Sequence, residues 1–207
     1  KGNIPHYVSE SNTQPGMPKY KDLNGDGIID TNDRTMIGRG LPIHTGGFTN
    51  NFEYKGFDLS VFFQWSYGND VLNANRLFFD SGFQKKRELN QYASYTDRWT
   101  PENPNSNIPA ATNSSSNLVI SSRVVEDASF LRLKTVTLGY TVPKTFLKKY
   151  KIDNARLYVA AQNLWTITGY SGYDPEVSIR SGGLTPGLDF SSYPRALSVS
   201  FGINLGF

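Results

Sequence analysis

Between Asp22 and Asp33 the chain reads DLNGDGIIDTND. Oxygen-bearing side chains fall at the first, third, fifth, ninth and twelfth places of this stretch, with glycine sixth. Asp22, Asn24 and Asp26 offer side-chain oxygens, Ile28 its backbone carbonyl, Asp30 a direct or water-mediated contact, and Asp33 the twelfth-position carboxylate. Gly27 permits the sharp turn that wraps such a loop around an ion. Hard oxygen donors at this spacing suit Ca2+, and structural calcium is the expected cofactor. A second reading uses the same residues without metal: an Asn-Gly/Asp-Gly turn whose carboxylates cap a short helix at TNDRTMIG. The loop does not read as a sensor, because GMPKYK before it contains proline and has no helical period. Nor is there the second copy that a paired sensor or docking module carries. The loop reads as a clip that shapes a surface segment.

Other chemistry is sparse. His6 and His44 are the only histidines, and neither sits in a nucleophile–base pattern. The remaining carboxylates are scattered, and the glycines around 182–187 lack the strand–helix frame of a phosphate loop. With no cysteine, thiolate catalysis and cysteine-held zinc are excluded. The expectation is a protein that is not an enzyme.

The elements that must carry the loop are strands. From Leu197 to Phe207, Leu197, Val199, Phe201, Ile203, Leu205 and Phe207 alternate with small or polar residues. A strict period of two is a strand with one greasy face. Burying six such side chains is worth on the order of 10 kcal/mol, so that face will not stay in water. The pattern recurs in Phe57–Tyr67, where only Phe62 breaks the polar side, and before it in Phe48, Phe52 and Tyr54. Val136, Leu138, Tyr140 and Val142 mark another strand, and Leu157, Val159 and Ala161 a weaker one. Strands are expected near 44–55, 57–68, 128–142, 155–168 and 195–207.

Their connections alternate in length. Lys55-Gly56 makes a tight hairpin, and Pro143 to about Asp153 a short link. Asn69 to about Asp127 and Gly169 to Pro194 are long, and residues 1–41 form another long segment. Short links at one end, long loops at the other and one apolar face per strand describe an antiparallel up-and-down transmembrane β-barrel. Strands of roughly 10–13 residues suit a tilted bilayer crossing. Trp65, Tyr67, Tyr140, Trp165 and Phe207 lie where an aromatic girdle belongs. Five strands cannot close, so this all-β chain is expected to be a barrel fragment, residues 1–207 being one part of something longer. Asp58 and Gln64 then face the lumen. The competing architecture is a secreted, calcium-stabilised β-sandwich that binds carbohydrate.

Charges nearly balance at +3, which excludes a polybasic nucleic-acid arm, and no apolar run reaches the ~20 residues of a membrane-spanning helix. KGNIPHYVSE has neither the apolar stretch of a signal peptide nor an initiator methionine. Lys144, Lys148, Lys149 and Lys151, on the short-link side, read as a solvated turn rather than a contact with anionic head groups. Lys85, Lys86 and Arg87 read as wet loop surface.

Several motifs resemble one family in the same order along the chain. KYKDLNGDGIIDTNDRTMIGRGLPIHTGGFTNNFEYKGFDLSVFFQWSYGNDVLN is similar to the late barrel of the SusC/RagA group of TonB-dependent outer-membrane transporters. YTDRWTPENPNSNIP, VEDASFLRLKTVTLGYTVP, ARLYVAAQNLWTITGYSGYDPE and SVSFGINLGF continue the likeness. The resemblance implies the C-terminal strands of a barrel of about 22, with a plug and a TonB-contacting segment elsewhere. It also implies an outer-membrane location, a SusD-like surface lipoprotein partner and oligosaccharide or peptide import. On this reading the Asp22–Asp33 loop and the long connections lie outside the cell. Trp99, Tyr170 and Tyr173 then lie in outer loops where they could stack on sugar rings or contact the lipoprotein lid, and the alternative for them is packing of loop against loop.

Overall fold

A computed structural model describes residues 6–7, 13–82, 90–113, 115–179 and 186–207. Lys85, Lys86, Arg87 and the glycines at 182 and 183 lie outside the described residues. The chain divides into two compact units. One comprises Lys1–Gly38, Val71–Glu126 and Ser178–Ser192, and the other Arg39–Asp70, Asp127–Val177 and Tyr193–Phe207.

The second unit is built on a five-stranded sheet. Its members are β3 (His44–Tyr54), β4 (Phe57–Tyr67), β7 (Phe130–Thr141), β8 (Asn154–Thr168) and β10 (Ser198–Gly206). Their order is β10-β8-β7-β4-β3, antiparallel throughout, so each strand pairs with its neighbour in this succession. This is the expected meander, with strand limits within about three residues of those read from the alternation. Lys55 and Gly56 both take positive φ, +48° and +87°, as a two-residue hairpin matching the right-handed twist of its strands requires. The β7–β8 link is a single helical turn, α2 (Lys144–Leu147), continued as a 3-10 turn over Lys148–Tyr150 and ended by Lys151 in the left-handed region.

Register sorts the side chains by face. Phe57, Tyr140 and Leu157 fall in line across three strands, as do Leu59, Leu138, Val159 and Phe201 across four. These residues belong to the apolar set, and their face is open: Phe201 is 83% exposed and Ile203 64%. Among the described residues no second sheet covers it, and the sandwich alternative falls on that observation. So much contiguous apolar surface left open is what a sheet facing hydrocarbon presents.

One feature of the wall was not visible in the alternation. Between Leu133 and Thr135 the register shifts against both neighbours, and Asn163 opposite takes φ +53°. The bulge changes the parity of β7, so Leu131 and Leu133 join Val136 and Leu138 on the apolar side. Without it, either the upper or the lower half of the strand would turn its leucines to the polar face.

The first unit carries the small elements. A parallel pair of two-residue strands joins β1 (His6–Tyr7) to β2 (Ile28–Ile29). A three-stranded sheet is ordered β6-β5-β9, from Val125–Asp127, Asp70–Asn73 and Leu188–Asp189. The helix α1 (Ala74–Phe79) follows β5, its N-terminus capped by the Asn73 side chain, which accepts from the Arg76 amide. These elements subdivide the stretch read from sequence as one long connection. No helix among the described residues is long and apolar enough to cross a membrane, which says nothing of crossing by strands.

Candidate functional site

The polar face of the sheet holds two ionic arrangements. Nearer the short links, Asp58 of β4 reaches across β7 to Arg156 of β8. Arg156 Nε donates to Asp58 Oδ1 at 3.0 Å, and its Nη2 donates to Oδ2. The two residues can meet because the position between them is Gly139, where any Cβ would overlap both groups. The guanidinium in turn lies 5.3 Å from the ring of Tyr158, which covers Gly202 of β10. Both glycines provide room for side chains lying flat on the wall. Asp58 was expected on this face; its partner lies 98 residues on and is brought there by the register.

The second arrangement lies toward the long loops and centres on Arg132, which is 2% exposed. Its Nε donates to Thr166 Oγ1 at 3.0 Å, Nη1 to Glu176 Oε2 at 3.0 Å and Nη2 to Asp174 Oδ1 at 2.5 Å. Asp174 also accepts the backbone amides of Glu176 at 2.9 Å and Arg195 at 3.0 Å. Glu176 receives two further cations, Arg195 through Nε at 2.8 Å and Lys134, on the bulge, at 3.5 Å. Burial works to raise the Asp174 pKa, but the two amides and the Arg132 guanidinium outweigh it and hold the carboxyl below its ordinary value. Sequence reasoning missed this hub. The available signal was an arginine at an inward strand position, followed after β8 by the acidic pair in YDPE.

The Asp22–Asp33 loop is held by its own carboxylates. Asp22 accepts the amides of Gly25 at 2.6 Å and Gly27 at 2.9 Å, Asn24 Oδ1 that of Asp26 at 2.9 Å, and Asp26 Oδ1 that of Ile28 at 2.8 Å. Asp30 and Asp33 form a capping box on the 3-10 turn Thr31–Asp33, so the capping reading of these residues is realised. Asp33 also accepts the Leu23 amide at 2.7 Å, and the amides of Asp30 and Leu23 lower its pKa. Among the described residues no three His, Cys, Asp or Glu side chains are grouped as a finished metal cage. The donors nevertheless suit a hard cation: each Asp22 oxygen takes one amide and keeps a second lone pair.

The candidate aromatics separate. Tyr170 is buried, with its ring against Gly172. Trp99 is half-buried, its indole packed on Gly16 and its amide donating to the Ile108 carbonyl at 2.8 Å, which is loop packed against loop. Tyr173 stands 81% exposed. His44, the first residue of β3, accepts from Trp65 Nε1 at 3.1 Å and stacks on Tyr67 at 5.1 Å between ring centres. That sets its imidazole in the aromatic end of the wall.

No family model matches the chain. Individual proteins do. TonB-dependent receptor P3 of Formosa agariphila is 38% identical over all of this chain, which covers 21% of that receptor. TonB-dependent receptor P26 of the same organism is also 38% identical, over 93% of the chain. TonB-dependent receptor SusC of Bacteroides thetaiotaomicron is 28% identical over 97% of the chain and 18% of the receptor. Among solved structures, the RagAB peptide importer in its open-open state superimposes with a TM-score of 0.75 at 29% identity. That match covers 91% of this chain and 20% of the importer chain. The chain thus spans about a fifth of the relatives it matches. Over all or nearly all of its length the chain is similar, as a barrel segment, to proteins named as TonB-dependent receptors, SusC among them, and to the RagAB peptide importer.

Proposed function

We propose that this chain supplies wall and outer loops to an outer-membrane importer that takes up oligosaccharides or peptides. In this reading a SusD-like surface lipoprotein covers the barrel, and the TonB complex acts through a part of the protein outside this chain. Solute binds from outside, and force applied from the periplasm opens the way; no covalent step is involved. The observation that carries the reading is the apolar face shared by five consecutive antiparallel strands and left open. Support also comes from the relatives, named as TonB-dependent receptors, and from the likeness to a peptide importer. Of the three candidate solute contacts, Tyr173 is the one presented as an open aromatic surface.

The test uses Trp165, which lies on the apolar face at 55% exposure. In the full-length receptor reconstituted in bilayers, brominated acyl chains should quench a fluorescence component that Trp165→Phe removes. Equal quenching of the wild type and the variant would mean that this face does not meet lipid.

We also propose that the Asp22–Asp33 loop takes calcium as a structural clip. Asp22, Asn24, Asp26, Asp30 and Asp33 would hold it, with the Ile28 carbonyl as a further ligand. The ion would supply charge balance and stiffness only. Chelator should speed proteolysis between residues 15 and 40, and Asp22→Ala or Asp26→Ala should reproduce the change without chelator. Cleavage that ignores both treatments would leave the loop with its hydrogen-bonded turns alone.

A further inference from the structure

Arg132 does more than neutralise two carboxylates. It pairs in register with Gln64 on one side and Thr166 on the other, on the face opposite Leu131, Trp65 and Trp165. Since the apolar face meets lipid, Arg132 points to the interior. Its partners Asp174 and Glu176 must therefore lie over the inner surface, although they belong to the long connection read from sequence as a loop standing outside. The Asp174 carboxylate, bonded to the Arg195 amide, draws the start of the last strand's approach into the same place.

The charges do not cancel. Arg132, Lys134 and Arg195 face Asp174 and Glu176, three cations against two anions. Asp174 is held by Arg132 and two amides, and Glu176 is shared among three cations. Arg132 is buried, but Arg195 remains 48% exposed and Lys134 22%, so the surplus positive charge belongs to the two groups that water reaches.

From this arrangement we propose that residues 174–176, with Arg132, Lys134 and Arg195, form a fixed, net-cationic constriction on the inner face of the barrel. It admits solutes that carry a carboxylate, sulfate or other oxyanion in preference to cationic ones. Arg132 is the positioning residue, and Lys134 and Arg195 are the groups that meet the solute. The inference rests on the import reading, and one experiment separates the two. Gln64→Cys places a thiol on the inner face beside Arg132. In the full-length receptor in intact outer membranes, it is labelled from outside with a sulfonate-bearing thiosulfonate, a trimethylammonium-bearing thiosulfonate and a polyethylene-glycol maleimide.

With each rate taken relative to a free thiol, the anionic small reagent should react about 25 times faster than the cationic one, since one unit charge ~4 Å away in water speeds the first about fivefold and slows the second about as much. Lys134→Gln together with Arg195→Gln leaves one cation against two carboxylates and should bring that ratio below one. The bulky maleimide should be excluded, admitted in Arg132→Gln, and excluded again in Arg132→Lys. A ratio that the double variant leaves unchanged, or bulky labelling indifferent to Arg132, overturns the constriction. If Arg132→Gln does not reach the membrane folded, the rate ratio in the double variant decides alone. If neither small reagent reaches Gln64→Cys, the face is not water-filled; the import reading then fails, and the constriction with it.

Discussion

The two units solve opposite solvent problems with the same kinds of side chain. In the loop-bearing unit Val71, Leu77 and Val124 are buried at 1%, 6% and 0% exposure, as in any protein folded in water. Several of its buried polar groups are paired: Asp80 accepts from Ser94 at 3.3 Å and sits beside Arg76 and Arg123. Asn117 donates to the carbonyls of Ser81 and Ala110 at 2.7 and 3.2 Å. In the strand-bearing unit the order is reversed. Phenylalanine, isoleucine and leucine point outward, while arginine, aspartate and glycine line the other face. The contrast shows that burial in protein is only one way to remove apolar surface from water. Hydrocarbon does it as well, without close packing by neighbouring side chains.

This contrast can be broken by substitution. Leu77→Ala removes a side chain that the surrounding loops have closed over, and should cost about 2–5 kcal/mol. Hydrogen exchange should register the loss as faster opening of α1, with the sheet unchanged. Ile203→Ala in the wall should cost clearly less, since fluid chains fill the space and no fixed cavity remains. Equal costs would mean that a packed protein surface covers Ile203.

Charge tests the same difference. Phe201→Arg on the outer face should cost roughly 2–4 kcal/mol of folding free energy in bilayers if Phe201 lies near the midplane. Ser200→Arg, one residue earlier and on the inner face, should be nearly neutral. A smaller effect is expected at Asp58, whose pairing with Arg156 is about a third exposed and partly screened. Asp58→Ala should cost about 1 kcal/mol, measured as a shift in the urea midpoint of the refolded barrel.

The smallest effect is one of pH. Because the native carboxyl of Asp174 titrates below its ordinary value, its contribution is present above the unfolded value near about pH 4. It is lost as pH falls through the lower native value. Exchange of the Arg195 amide, corrected for its intrinsic rate, should therefore stay slow at neutral pH and accelerate only in that acid range. Acceleration near pH 6 would indicate that a different group holds the loop.

Much of the wall was legible in advance because a strand's side-chain period is two and a lipid-facing residue has no reason to break it. Positions 197 to 207 show this most plainly, since one face there is uniformly large and apolar. The acidic loop was legible too, because turns of this kind are held by side chains only two to five residues away. Local interactions and a repeating solvent boundary are written in neighbouring residues, and the chain order alone shows them. Arg132 with Asp174, Arg156 with Asp58, and the parity change at Lys134 could not be read this way. Each depends on register between strands joined by long connections, and register is settled only when the whole sheet is assembled. The burial of Tyr170, the packing of Trp99 on Gly16 and the inward turn of residues 174–176 were decided at that level, where distant segments compete for the same space and the same hydrogen bonds.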